Sequence, residues 1–255
     1  MKKIITQIYE IQTPAEAAAV IAAGVDHVGS VVVSPENWKV PSIRETIREV
    51  AKTAAKSSLI LLYNQPDIVW ASLTYYQPDI VHFCENLVDG CNRETQKSIE
   101  ARCRPLVCLQ QSIRADFPDV KIMRTIPIPD TQASAGFPFL ELAKIFEPVS
   151  DYFLTDTLIK GTSGSNDQPV EGFIGITGKT CDWIAARRLV ESSRIPVVLA
   201  GGLSPENVYE GILAIRPAGV DSCTLTNARD ENGRPVRFKK DMEKVAQFVA
   251  EARRA

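Results

Sequence analysis

Short β-branched runs alternate along this chain with longer segments whose apolar residues return every three or four positions, a rhythm that belongs to folds built from strand–helix units. Strand character is read at Ile4–Tyr9, His27–Val33, Leu59–Tyr63, Ile80–Phe83, Lys121–Ile128, Tyr152–Thr155, Pro196–Ala200 and Val220–Leu225. Helical spacing covers Pro14–Ala23, Pro41–Ala55, Asp67–Tyr76, Arg93–Arg102, Phe139–Phe146, Cys181–Ser192, Pro205–Ile215 and Lys240–Arg254. Parallel strands need crossover connections, and eight such units closed on themselves take about 250 residues. The 255 residues therefore predict an α/β fold, a single (β/α)8 TIM barrel domain over 1–255. The competing architecture, a doubly wound open sheet, lacks a GxGxxG turn at an early strand exit. Leu106-Val107-Cys108-Leu109 is a candidate for an additional strand. Asp26, Asp79, Asp151 and Asp221 each stand at the entrance to an apolar strand, two of them as Gly-Val-Asp, which supports a repeated unit.

Composition removes several functions. With 29 basic against 31 acidic residues and a net charge of −2, no basic field exists to gather nucleic acid or an anionic membrane. No run approaches the roughly eighteen apolar residues of a membrane span, and the amino terminus lacks the pattern of a secretion signal, so a cytoplasmic protein is expected. The six cysteines form no CxxC pair and the histidines are His27 and His82, so neither a metal site nor disulfides are expected. Cys84 and Cys108, in apolar runs, read as buried free thiols.

Val197 to Val208, VVLAGGLSPENV, carries the strongest chemical signal. An apolar strand ends in Gly201-Gly202, and Ser204 and Pro205 supply an N-cap and a first-turn proline. Bare backbone at a helix entrance suits an anion, here a phosphate. In a parallel barrel the reacting groups sit at the carboxyl ends of the strands, which points to Tyr9-Glu10, Ser34, Asn64-Gln65, Cys84-Glu85, Asp156-Thr157 and Cys223-Thr224-Leu225-Thr226. Gly161–Gly178 reads as a long loop able to fold over that face, and Gly178 opens a second glycine-bearing helix entrance. Arg234–Lys240 reads as a solvated basic loop before the last helix.

Three segments carry a family resemblance: Phe153-Leu154-Thr155-Asp156-Thr157, Gly175-Ile176-Thr177-Gly178-Lys179-Thr180-Cys181-Asp182-Trp183, and Leu199 through Val208. With Asn64-Gln65-Pro66 and Gly219-Val220-Asp221, the chain resembles phosphoribosylanthranilate isomerase, the sugar-phosphate isomerase of tryptophan biosynthesis. The resemblance implies an Amadori rearrangement of a phosphorylated ribosylamine by acid–base chemistry without a cofactor, in a monomer or homodimer. Asp156 matches the general acid, and Gly178, Gly201, Gly202 and Thr224 match the phosphate loops. Tyr9 stands where the family has its basic cysteine, which leaves Tyr9, His82 or Glu10 as proton acceptor. Glu36 replaces an arginine that holds the aromatic carboxylate, with Lys39 as the nearby cation, and Leu225 replaces a phosphate-loop glycine. A different sugar-phosphate isomerase, epimerase or lyase is the second reading, and a phosphate-binding barrel without turnover the third.

Overall fold

The computed structural model describes residues 3–88, 95–130, 136–159, 172–175 and 177–255. Eight strands close in chain order: β1 (Ile5–Ile8), β2 (His27–Val32), β3 (Lys56–Leu61), β4 (Ile80–Phe83), β5 (Lys121–Pro129), β6 (Tyr152–Leu158), β7 (Val197–Leu199) and β8 (Gly219–Ser222). All pairings are parallel, and β1 meets β8 with Ile5 opposite Gly219 and Ile8 opposite Ser222. The crossovers are α1 (Pro14–Ala22), α2 (Pro41–Val50), α3 (Pro66–Tyr76), α4 (Gln96–Asp116), α5 (Phe139–Phe146), α6 (Trp183–Ser192), α7 (Val208–Ile215) and α8 (Met242–Arg254). This is the (β/α)8 barrel expected from the alternation.

Each layer follows from the pattern. Val31, Leu62, Met123, Leu154 and Val198 fill the barrel interior, while Ile8, Val28, Ile126 and Val220 face the helices. Three of the four aspartates grouped by the sequence do one structural job at the amino-terminal face. Asp26, Asp79 and Asp151 each accept the opening main-chain N–H of the preceding strand, from Thr6, Ser57 and Ile122, at 2.9 Å in every case. Asp221 differs, because β8 starts two residues earlier at Gly219 and carries Asp221 into the barrel.

Several expectations are corrected. Leu106–Leu109 adds no strand; it lies inside α4, whose buried residues Ile99, Cys103, Leu109 and Ile113 keep helical spacing, and Cys108 is exposed on its outer face. Helix α7 begins at Val208, not Pro205, because residues 205–207 form a turn in which the Ser204 carbonyl accepts the Asn207 and Val208 N–H groups. Arg234–Lys240 is no solvated loop: β10 (Pro235–Lys240) pairs antiparallel with β9 (Asn227–Arg229) as a hairpin between β8 and α8. Most of the expected Gly161–Gly178 loop, and the start of the helix expected at Arg93, lie outside the described residues.

Candidate active site

The exits of β6, β7 and β8 converge on a cavity of about 40 Å³. Gly178, Gly201, Gly202, Thr224 and Leu225 all line it. Close approach explains the paired glycines. A Cβ on Gly201 would lie 2.4 Å from the Thr157 hydroxyl, and one on Gly202 would lie 2.5 Å from the Lys179 carbonyl carbon; both residues also hold positive φ, +92° and +61°. Asn207 clamps the turn, its amide nitrogen donating to the Gly202 carbonyl (2.9 Å) and its oxygen accepting the Ser204 N–H (2.8 Å).

Two carboxyl groups line the same cavity. Asp156, half-buried on β6, accepts the Thr157 N–H at 2.7 Å. Desolvation raises its pKa to about 6 against that bond. Asp221, 6% exposed, is the functional candidate that sequence reasoning missed. Desolvation raises its pKa to about 7; the Asp156 charge adds to this, while a hydrogen bond from Gln7 (3.1 Å) and the Lys240 charge oppose it. Gln7 is itself fixed, since His27 Nδ1 lies 3.1 Å from its oxygen and leaves the amide nitrogen for Asp221. The Asp156 charge is one of the influences on Asp221, and of the two carboxyls Asp221 holds its proton more tightly.

Tyr9 and His82 are brought together, but with each other. The phenol oxygen lies 2.6 Å from Ser58 Oγ and 2.7 Å from His82 Nδ1, and His82 Nε2 lies 2.8 Å from Thr125 Oγ1. This polar chain joins the end of β1 to β3, β4 and β5 inside the barrel. Burial holds the Tyr9 phenol well above its usual pKa and pushes His82 down to about 3, aided by the Arg124 charge. Gly29 makes room for the ring, because a Cβ there would lie 2.1 Å from Tyr9 Cδ1.

Glu10 leaves the barrel interior through a left-handed backbone, φ 64°, and its buried carboxylate accepts from Arg237 Nε (2.7 Å) and Asn227 Nδ2 (3.1 Å). Burial alone would raise its pKa, yet the Arg237 and Lys240 charges and these bonds hold it below the usual range. Lys39 is not brought to the cavity; its Nζ stands 4.9 Å from the Trp38 ring centroid and 6.0 Å from that of Tyr75. Across the same face, at the exits of β2 to β4, a larger cavity of about 570 Å³ is lined by Pro35, Leu62, Asn64, Gln65, Arg102 and Phe173.

Glycine-lined strand exits and a carboxyl pair at the carboxyl end of a closed barrel define a protein of the (β/α)8 acid–base enzyme class. The family model for N-(5'-phosphoribosyl)anthranilate (PRA) isomerase matches residues 167–251. N-(5'-phosphoribosyl)anthranilate isomerase 2 of Methanosarcina mazei is 37% identical over 142 residues, 56% of this chain and 53% of that protein, so the match spans about half of that relative's length. The N-(5'-phosphoribosyl)anthranilate isomerase of Haloferax volcanii is 30% identical over 245 residues, 94% of this chain and 89% of that protein. The crystal structure of phosphoribosyl anthranilate isomerase from Thermotoga maritima shares the fold, with a TM-score of 0.65 at 20% identity over 99% of this chain and 100% of that one. The chain belongs to the phosphoribosylanthranilate isomerase family, a family of aldose–ketose isomerases. Among the described residues, no helix is long and apolar enough to cross a membrane.

Proposed function

We propose that the chain, working as one unit over residues 1–255, converts N-(5'-phosphoribosyl)anthranilate to its aminodeoxyketose isomer, with Asp156 and Asp221 as the acid–base pair. The phosphate sits among Gly178, Gly201, Gly202 and Thr224, where the β6 to β8 exits meet. The aromatic acid lies toward the larger cavity across the barrel mouth, whose walls include Pro35, Leu62 and Phe173. Asp156 gives its proton to the ring oxygen as the C1–O bond breaks and the nitrogen lone pair forms the imine. Asp221 removes the C2 proton, and the released electron pair generates the enolamine, which tautomerises to the ketone. Substrate and product are isomers, so no external oxidant or reductant is consumed.

One observation carries this assignment: two carboxyls raised by desolvation share the cavity with the glycine-lined turns, and the form that reacts is the minor one, with the proton on Asp156 and Asp221 ionised. Tyr9 is the weaker base, because burial keeps its proton in place and its oxygen is held between Ser58 and His82. Loss of phosphoribosylanthranilate fluorescence reports turnover. Asp156→Asn and Asp221→Asn are each expected to slow it by about a hundredfold or more, the usual scale of acid–base assistance, with phosphate still bound. A fully active Asp221→Asn protein would remove Asp221 from the chemistry.

A further inference from the structure

The smaller cavity poses an electrostatic problem. It presents the carboxyls of Asp156 and Asp221, and among its described lining residues there is no lysine or arginine. A phosphate dianion entering beside an ionised carboxylate is opposed by like-charge repulsion, strongest where water is excluded. The entrance of α7 offers about half a positive charge and does not balance the ledger.

Behind the Cys223 wall of that cavity lies Lys240, which is 7% exposed. Its Nζ donates to the Cys223 carbonyl at 2.8 Å and to Asn227 Oδ1, both neutral oxygens. Among the described residues, no carboxylate lies within ion-pair distance of that ammonium. Glu10, a carboxylate in its field, is already engaged by Arg237 Nε at 2.7 Å. A buried ammonium without an ion pair is costly to hold, so its position beside an anion cavity calls for an explanation. The fold fixes it there: Lys240 pairs in register with Asn227 at the end of β10, and the next residue, Asp241, caps α8.

Given an acid–base isomerase at this cavity, we propose that Lys240 is its buried counter-cation, acting through the Cys223–Leu225 turn on the bound phosphate and directly on Asp221. It is a positioning residue that touches no reacting atom. Its charge lets the phosphate dianion and the Asp221 carboxylate occupy one cavity. The groups facing Asp221 are Gln7 and Tyr9 from the β1 side, Asp156 from β6, the Cys223 thiol just after β8 and Lys240 from β10. Lys240 is the cation of that set.

Lys240→Gln keeps a donor for the Cys223 carbonyl and removes the charge, whereas Lys240→Arg keeps the charge. Calorimetric titration with inorganic phosphate is expected to show binding weakened at least tenfold in the Gln variant and within about threefold of wild type in the Arg variant. The alkaline limb of activity, where the pair loses its last proton near 7, is expected to move up by about one pH unit in the Gln variant, because losing a cation favours the protonated Asp221 carboxyl. A folded Gln variant with wild-type phosphate affinity and an unmoved limb overturns the proposal. Should that variant not fold, carboxyl-carbon NMR of the wild-type chain decides: Asp221 is expected to stay ionised at pH 8 under saturating phosphate, and a protonated Asp221 there overturns the role. Phosphate binding is read without turnover, so a protein that binds phosphate through Lys240 yet leaves phosphoribosylanthranilate unchanged would refute the isomerase assignment alone.

Discussion

Burial of Asp221 costs stability as its carboxyl ionises. Its folded pKa, about 7, stands above the ordinary carboxyl value of 3.8, so its contribution to stability is fully present below the unfolded value and is lost as pH rises through about 7. Asp156, raised to about 6, follows the same sign. Asp221→Asn removes the cost of a buried charge and retains an acceptor for Gln7. The variant is expected to be more stable than wild type at pH 8, on the order of 1 to 3 kcal/mol by denaturant titration, with the difference vanishing near pH 4. An unchanged or lowered stability at pH 8 would mean that the carboxylate is better solvated than its burial indicates. Asp156 was legible from its neighbours Thr155 and Thr157 in a resembling segment. Asp221, in Gly-Val-Asp, groups with Asp26 because the two contexts are alike in sequence. A three-residue difference in where the strand begins relative to Gly-Val-Asp sends one carboxyl to the amino-terminal end of the barrel and the other into the cavity, and no local pattern records that offset.

The strand β2 and the end of β1 are coupled by one contact. Tyr9 occupies the barrel interior only because Gly29 presents no side chain to its ring. Gly29→Ala is expected to destabilise the protein by about 3 kcal/mol in thermal or denaturant unfolding, as overpacking of a filled core does, and Tyr9→Cys in the same chain is expected to recover most of that loss. A Gly29→Ala protein of wild-type stability would show that the ring moves freely. The eight barrel strands were readable because β-branched runs and alternation mark them, and Ile80–Phe83 and Phe139–Phe146 match residue for residue. Two elements were misread for opposite reasons. Leu106–Leu109 is contiguous and apolar like a buried strand, yet Leu109 is its buried member, and helix spacing is visible only from Ile99 to Ile113. The β9–β10 hairpin is basic like a solvated loop, yet Arg237 is drawn to buried Glu10 and Lys240 is sealed behind Cys223, partnerships that span 227 and 17 residues.

Barrel closure assembles the site from distant sequence. β1 brings Gln7 to Asp221 of β8, β6 brings Asp156 to the same cavity, and the hairpin after β8 returns Lys240 behind it. Family likeness therefore tracked contiguous segments, Gly219-Val220-Asp221 among them, whereas the pairing of Asp221 with Gln7 and the placement of Lys240 behind Cys223 arise from closure. Tyr9 at the family's cysteine position is accommodated as an interior packing and hydrogen-bonding residue, and the cavity holds two carboxyls, the acid–base pair of the proposed reaction. The most direct test is the pH dependence of kcat/KM for phosphoribosylanthranilate. A bell-shaped profile is expected, with limbs near the apparent values of about 6 and 7 of the carboxyl pair, since one proton on two groups is the working state. A profile that instead keeps rising toward pH 10 would assign the base to the Tyr9 phenol and contradict the carboxyl pair.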